Sequence, residues 1–182
     1  MEAEDTRVKE NSITDNRISE NREGQALEDS SLEKKDSTEK IAPKYQVGYV
    51  PGVFDLFHVG HLNLLRNSKE RCNHLIVGVL TDELVMHFKG KVPFIPFDER
   101  IAIVKAIKYV DEVVPVDFKN TVKLEAWKLY HYDCHFSGND HGADWNEDLR
   151  QLREVGSNME FFQYTQSTSS TQIKKLIEKA IL

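Results

Sequence analysis

The chain has 182 residues, 40% of them hydrophobic and 30% charged, with a formal net charge of −6. That is length for one compact domain rather than two, and an acidic balance without a basic cluster argues against a binder of duplex nucleic acid. No run is long and apolar enough for a membrane-spanning helix, and the two cysteines, Cys72 and Cys134, fit no metal spacing and read as ordinary thiols of a reducing compartment, with the cytoplasm as the expected location.

The first 44 residues hold 8 Lys+Arg and 12 Asp+Glu, and residues 1–43 contain no aromatic side chain. Such a segment cannot bury enough apolar surface to offset its ordering entropy, so 1–43 is predicted to be a disordered acidic tail and 44–182 the folded domain. The tail has no apolar core of the kind a secretory signal needs and is too acidic for a mitochondrial leader. The domain opens on Tyr45–Val50, a strand, followed by a Pro51-Gly52 turn and a helical pattern from Leu62. His74–Leu80 is a nearly continuous apolar strand, as in parallel sheets covered on both faces. A short helix is predicted from Thr81 through His87, a loop from Phe88 to Phe97 carrying Lys89 and Lys91, and an amphipathic helix from Asp98 to Ile107. Then come a strand at Glu112–Pro115, a helix at Thr121–Tyr130, a strand at Cys134–Phe136 and a loop at Ser137–Asp140. A helix at Trp145–Val155 with Asp144 as its cap, a strand at Met159–Phe162 and a closing helix at Thr171–Leu182 complete the chain. Strands alternating with helices predict an α/β fold: a Rossmann-like, doubly wound parallel sheet. Ligands of such sheets bind at the carboxyl ends of the strands, where the loops Gly52–His61, Ser137–Asp140 and Thr165–Thr171 fall.

The first of these loops carries the chemistry. Gly52-Val53-Phe54-Asp55-Leu56-Phe57-His58-Val59-Gly60-His61 places two imidazoles at a strand-to-helix junction. Free amide N–H groups and the helix dipole make such an end an anion site. Gly60 allows close approach of a ligand to the backbone, so the pattern predicts a phosphate-handling site. The competing readings are a zinc pair, for which no third ligand is signalled, and two ordinary surface histidines.

These residues resemble those of the nucleotidyltransferases with an HxGH motif, and within them the small cytidylyltransferases of the glycerol-3-phosphate type. The likeness runs from Tyr45 to Ile177 and includes Val79–Glu83, Glu99-Arg100, Tyr109–Pro115 and Ser137-Gly138-Asn139-Asp140. The last block departs: where that family reads Arg-Thr-Glu-Gly-Ile-Ser-Thr-Thr, this chain has Tyr164-Thr165-Gln166-Ser167-Thr168-Ser169-Ser170-Thr171. The resemblance implies transfer of a cytidylyl group from CTP to a small phosphorylated alcohol, with pyrophosphate released and Mg2+ accompanying the triphosphate. It implies His58, His61 and Lys89 as catalytic residues. Gly52, Val53, Phe54, Asp55, Gly60, Gly138, Asn139, Asp140, Thr168, Ser169, Ser170 and Thr171 would bind nucleotide, and Arg100 and Lys91 the acceptor. A homodimer is a further expectation from the family. The altered last block keeps two alternatives open: adenylyl transfer from ATP to a sugar phosphate, and a nucleotide-binding module without catalysis.

Overall fold

A computed structural model describes residues 42–138, 145–163 and 169–181. The predicted tail up to residue 41, the Asp144 cap and most of the Tyr164–Thr171 block lie outside the described residues, as do the site candidates Asn139, Asp140 and Thr168. In chain order the elements are β1 (Tyr45–Gly52), α1 (Val59–Lys69), β2 (Cys72–Leu80), α2 (Asp82–Lys89), α3 (Phe97–Lys105) and β3 (Glu112–Val116). They continue as α4 (Lys123–Tyr130), β4 (Cys134–Gly138), α5 (Asn146–Glu154), β5 (Asn158–Phe162) and α6 (Ser170–Ile181). All five strands are parallel and lie in the order β3-β2-β1-β4-β5. This is a Rossmann-like, doubly wound sheet. Its strand order reverses at β1, so the crevice between the carboxyl ends of β1 and β4 is where such a fold takes ligands.

Several element ends differ from the sequence expectation, each for a local reason. α1 starts at Val59 rather than Leu62, because the side chain of His58 caps it. α2 runs two residues past His87 and stops where Gly90 turns left-handed, at φ 63°. Helix α3 begins directly after Pro96, which stands at its N-cap position. β4 reaches Gly138, which pairs with Phe162 of β5, so Ser137 and Gly138 belong to a strand rather than a loop.

Side chains alternate across β1 and β2 and divide the core in two. Val50, Leu75, Val77 and Val79 face Leu65 of α1 and Val104 of α3. Tyr49 and Ile76 face the other way, with Ala126 of α4, Tyr132 and Leu152 of α5. On that second face Tyr49 stacks on Tyr132 at 5.0 Å between ring centroids. The neighbouring strand must be bare there: a Cβ on Gly78 would lie 2.6 Å from Tyr49 Oη and 2.6 Å from Val116 Cγ2. No helix among the described residues is long and apolar enough to cross a membrane.

Candidate active site

Gly52 ends β1 where the Phe54 ring folds back on it; a Cβ there would meet that ring at 2.9 Å. The chain then turns through two left-handed residues, Phe54 at φ 53° and Leu56 at φ 49°. Neither is glycine, and each such conformation costs about 1–3 kcal/mol, so the surroundings must hold it in place. Phe54 is 2% exposed. Its ring packs edge-on against His61 at 5.3 Å, and Phe57 approaches the same imidazole at 5.4 Å. Phe54 is therefore a support for His61, and its side chain is not open to a nucleotide.

His58 is the N-cap of α1, and its Nδ1 accepts the Gly60 N–H at 3.0 Å. That bond requires an unprotonated Nδ1, so in the neutral ring the proton sits on Nε2, a donor turned away from the helix. His61, one helical turn along, stacks on His58 with ring centroids 4.0 Å apart and an interplanar angle of 29°. Its own Nδ1 is buried and takes no hydrogen bond among the described residues. Aromatic packing on three sides, rather than hydrogen bonding, fixes this ring. Burial lowers the pKa of His58. Burial pushes His61 down to about 4, with the neighbouring His58 and Lys89 adding to the effect and Asp55 opposing it. Both rings are thus neutral at pH 7 before a ligand arrives. Lys89, the last residue of α2, is exposed yet near enough for its charge to act on His61. Lys91 stands exposed in the loop that follows.

Asp55 is only 3% exposed, and both its carboxylate oxygens are engaged. Oδ1 accepts the Ile95 N–H at 3.0 Å; Oδ2 accepts the Phe94 N–H at 3.1 Å and pairs with Lys174 Nζ at 2.7 Å. Burial alone would raise the Asp55 pKa, but the Lys174 hydrogen bond and the two amides outweigh it and hold it below the usual carboxylate range. A carboxylate saturated by two amides and an ammonium does not fit a magnesium ligand, and it is not open to a nucleotide. Its role is to tie the turn to the loop before α3 and to α6.

Arg100 is also not an acceptor-binding residue. Its side chain is fully buried, and four hydrogen bonds go to protein oxygens. Nε donates to Ile95 O at 2.9 Å, Nη1 to Val53 O at 2.5 Å, and Nη2 to Leu80 O at 2.8 Å and Asp82 Oδ1 at 2.6 Å. One guanidinium thereby joins the segment after β1 and the end of β2 to the start of α2 and the loop before α3. At the far side of the site, Ser169 and Gln172 cap α6 reciprocally, the Ser169 N–H donating to Gln172 Oε1 and the Gln172 N–H to Ser169 Oγ. Ser170 Oγ donates to the Asp55 carbonyl at 2.9 Å, and Thr171 is exposed. The structure thus brings the turn, the two imidazoles, Lys89 and the start of α6 to one end of the sheet, beside Gly138 at the end of β4.

The side chains of three sequence candidates, Phe54, Asp55 and Arg100, therefore stand behind the site rather than in it. Lys174 was not among the candidates.

A family model described as cytidylyltransferase-like matches residues 49–176. The chain belongs to the cytidylyltransferase-like family. Within that family it is 35% identical over 132 residues to an FAD synthase of Pyrococcus horikoshii, an alignment covering 71% of this chain and 88% of that one. It is 46% identical over 66 residues to an ethanolamine-phosphate cytidylyltransferase of Arabidopsis thaliana, across 36% of this chain and 15% of that protein. The solved structure of the lipopolysaccharide core biosynthesis protein of Thermoplasma volcanium superposes with a TM-score of 0.58 at 22% identity. That match covers 68% of this chain and 99% of the other, and it speaks for the fold. The relatives named for an activity are nucleotidyltransferases, and the cytidylyltransferase-like chain described here is a nucleotidyltransferase.

Proposed function

We propose that this enzyme transfers a cytidylyl group from CTP to the phosphate of a small phosphorylated alcohol, of the glycerol 3-phosphate or ethanolamine phosphate kind. The observation that carries this reading is the stacked His58–His61 pair at the amino end of α1, next to the strand-order reversal of the sheet. An acceptor phosphate oxygen attacks the α-phosphorus; the bond to the bridging oxygen breaks, and pyrophosphate leaves with that oxygen. No covalent enzyme intermediate is required, so the protein's task is to align two anions and meet the charge that moves onto the leaving group. His58 Nε2–H and the His61 ring, aided by the Lys89 ammonium and the α1 dipole, supply donors where that charge develops. Each well-placed donor of this kind contributes about 3–4 kcal/mol to the transition state. Magnesium would accompany the triphosphate and offset part of its negative charge.

Ser169, Ser170 and Thr171 at the start of α6, with Gly138 at the end of β4, are assigned to the nucleotide, and Lys91 to the acceptor. Asn139, Asp140 and Thr168 complete the nucleotide set in this reading. The protein acts as a homodimer in the cytoplasm. Both thiols are buried and unpaired, and burial pushes Cys72 up to about 11 and Cys134 up to about 12, which suits a reducing compartment.

A second reading draws on the 35% identity over 132 residues to an FAD synthase: adenylyl transfer from ATP, with a flavin phosphate or a sugar phosphate as acceptor. Pyrophosphate release measured with CTP and with ATP, each against glycerol 3-phosphate, ethanolamine phosphate, a sugar phosphate and flavin mononucleotide, separates the two. Turnover with CTP and an alcohol phosphate is expected. Turnover with ATP alone would replace the first reading by the second.

A further inference from the structure

Helix α6 reaches the site through one side chain that no motif of the sequence singles out. Lys174 Nζ lies 2.7 Å from Asp55 Oδ2 and 5.2 Å from the centroid of the Phe94 ring. Asp55 is 3% exposed and Lys174 one-third exposed at the side chain, so the pair is sealed on the carboxylate side. The same carboxylate receives the amides of Phe94 and Ile95, and the Asp55 carbonyl receives the Ser170 hydroxyl from the first turn of α6. Three segments far apart in sequence converge on one residue of the β1–α1 turn: the turn itself, the loop before α3, and α6.

We propose that Lys174 is a positioning residue for nucleotidyl transfer: its ammonium balances the Asp55 carboxylate, seats it on the Phe94 and Ile95 amides, and so keeps the turn, and the His58–His61 pair it carries, in the arrangement the reaction uses. The inference rests on the reading that this histidine pair handles the phosphates.

The electrostatics of the turn support it. The charged groups that act on His61 are His58 at the cap of α1, Lys89 at the end of α2, and Asp55 in the turn; Asp55 favours the imidazolium and the other two oppose it. With Lys174 in place the negative charge of Asp55 is shared between an ammonium and two amides. Without it, a nearly buried carboxylate stands unbalanced, and protonation of His61 becomes the nearest way to compensate. Lys174 thus acts on the imidazole through Asp55, without touching it.

The test uses the full chain with Lys174→Met, which keeps most of the length of the side chain and removes its charge, together with Lys174→Arg and the double variant Lys174→Met/Asp55→Asn. His61 is titrated by NMR in the free protein, and kcat and KM are measured over a range of pH. In Lys174→Met the His61 titration should move up by about one pH unit, and kcat should fall at least about tenfold with a smaller change in KM. Lys174→Arg should restore both to within about threefold. The double variant, again balanced in charge, should return the His61 titration to its original position even where turnover stays low. A Lys174→Met protein with unchanged titration and unchanged kcat overturns the proposal. If Lys174→Met does not fold, the folded double variant and Lys174→Arg still decide it: a His61 titration in the double variant shifted up as far as an unbalanced carboxylate would shift it, or a kcat in Lys174→Arg reduced at least about tenfold, also overturns it. Failure of the underlying reading is seen separately, as full activity in His61→Ala whatever the titrations show.

Discussion

Around the amino ends of the strands, ionised groups close on one another and on the backbone; at the carboxyl ends the same kinds of group hold up a strained turn. Near the start of β1, Asp133 Oδ2 accepts the Gln46 and Val47 amides at 2.9 and 2.8 Å. Glu160 takes Lys44, Tyr45 and Arg71, and Asp111 takes Lys69 and the Leu75 amide. Every one of these carboxylates ends in a local, satisfied network. At the opposite end Phe54 and Leu56 are left-handed, His61 Nδ1 is buried without a partner among the described residues, and the imidazole pKa values are low. Regularity is given up at the end where we propose that the nucleotide binds, and Arg100 and the Asp55–Lys174 pair hold that end in place.

The comparison is broken most severely at Arg100. Arg100→Leu removes four hydrogen bonds at once and leaves the Val53, Leu80 and Ile95 carbonyls without their donor, while Asp82 keeps the Phe97 amide and its contact with solvent. Unsatisfied carbonyls cost about 1–3 kcal/mol each, so a total loss of about 3 kcal/mol or more is expected, which urea unfolding would read as a large drop in midpoint. A loss of under about 1 kcal/mol would mean that this guanidinium does not anchor the carboxyl end. Next in size is His61→Ala. Turnover should fall at least about a hundredfold, while the protein stays folded at a cost of about 1–3 kcal/mol for the packing lost against Phe54, Phe57 and His58. A variant that keeps its rate would remove His61 from the chemistry.

At the amino end the expectation reverses. Asp133→Ala leaves the Gln46 and Val47 amides without their side-chain acceptor, at a cost of about 1–2 kcal/mol, and kcat should not change. Thermal unfolding and steady-state kinetics on the same sample check both halves; a drop in kcat would show that the two ends are coupled more tightly than their separate networks suggest.

The fold was legible because its signal is redundant. The apolar run of β2 and the alternation of strands with helices both point to one sheet. The imidazole pair was legible for a different reason: it follows β1 within a short turn, so local spacing placed it at the helix start. What sequence could not resolve were the roles of charged residues. Arg100 looked like a ligand-binding arginine and is a buried knot, because whether a guanidinium faces solvent depends on carbonyls 47 and 20 residues away. Lys174 was passed over for the converse reason: its partner Asp55 lies far back along the chain, and nothing local marks the pair.

The smallest expected effect is also the finest test of the carboxyl end. In the free protein His58 titrates below its usual range and His61 at about 4, both chiefly because burial penalises the charged ring. A bound triphosphate places several negative charges beside them and raises both values. Between the free and bound values the complex holds more protons than its separated parts, so binding takes up protons and tightens as pH falls from 8 towards 5. For His61 that gain levels off near pH 4, where the free ring is itself protonated. Calorimetry of nucleotide binding at pH 7, in two buffers of different protonation enthalpy, should show a fractional uptake of under about one proton. That uptake should shrink in His61→Ala. No uptake in the wild type would mean that the rings stay neutral throughout and act only as N–H donors, which would leave the low His61 pKa a consequence of packing with no part in the reaction.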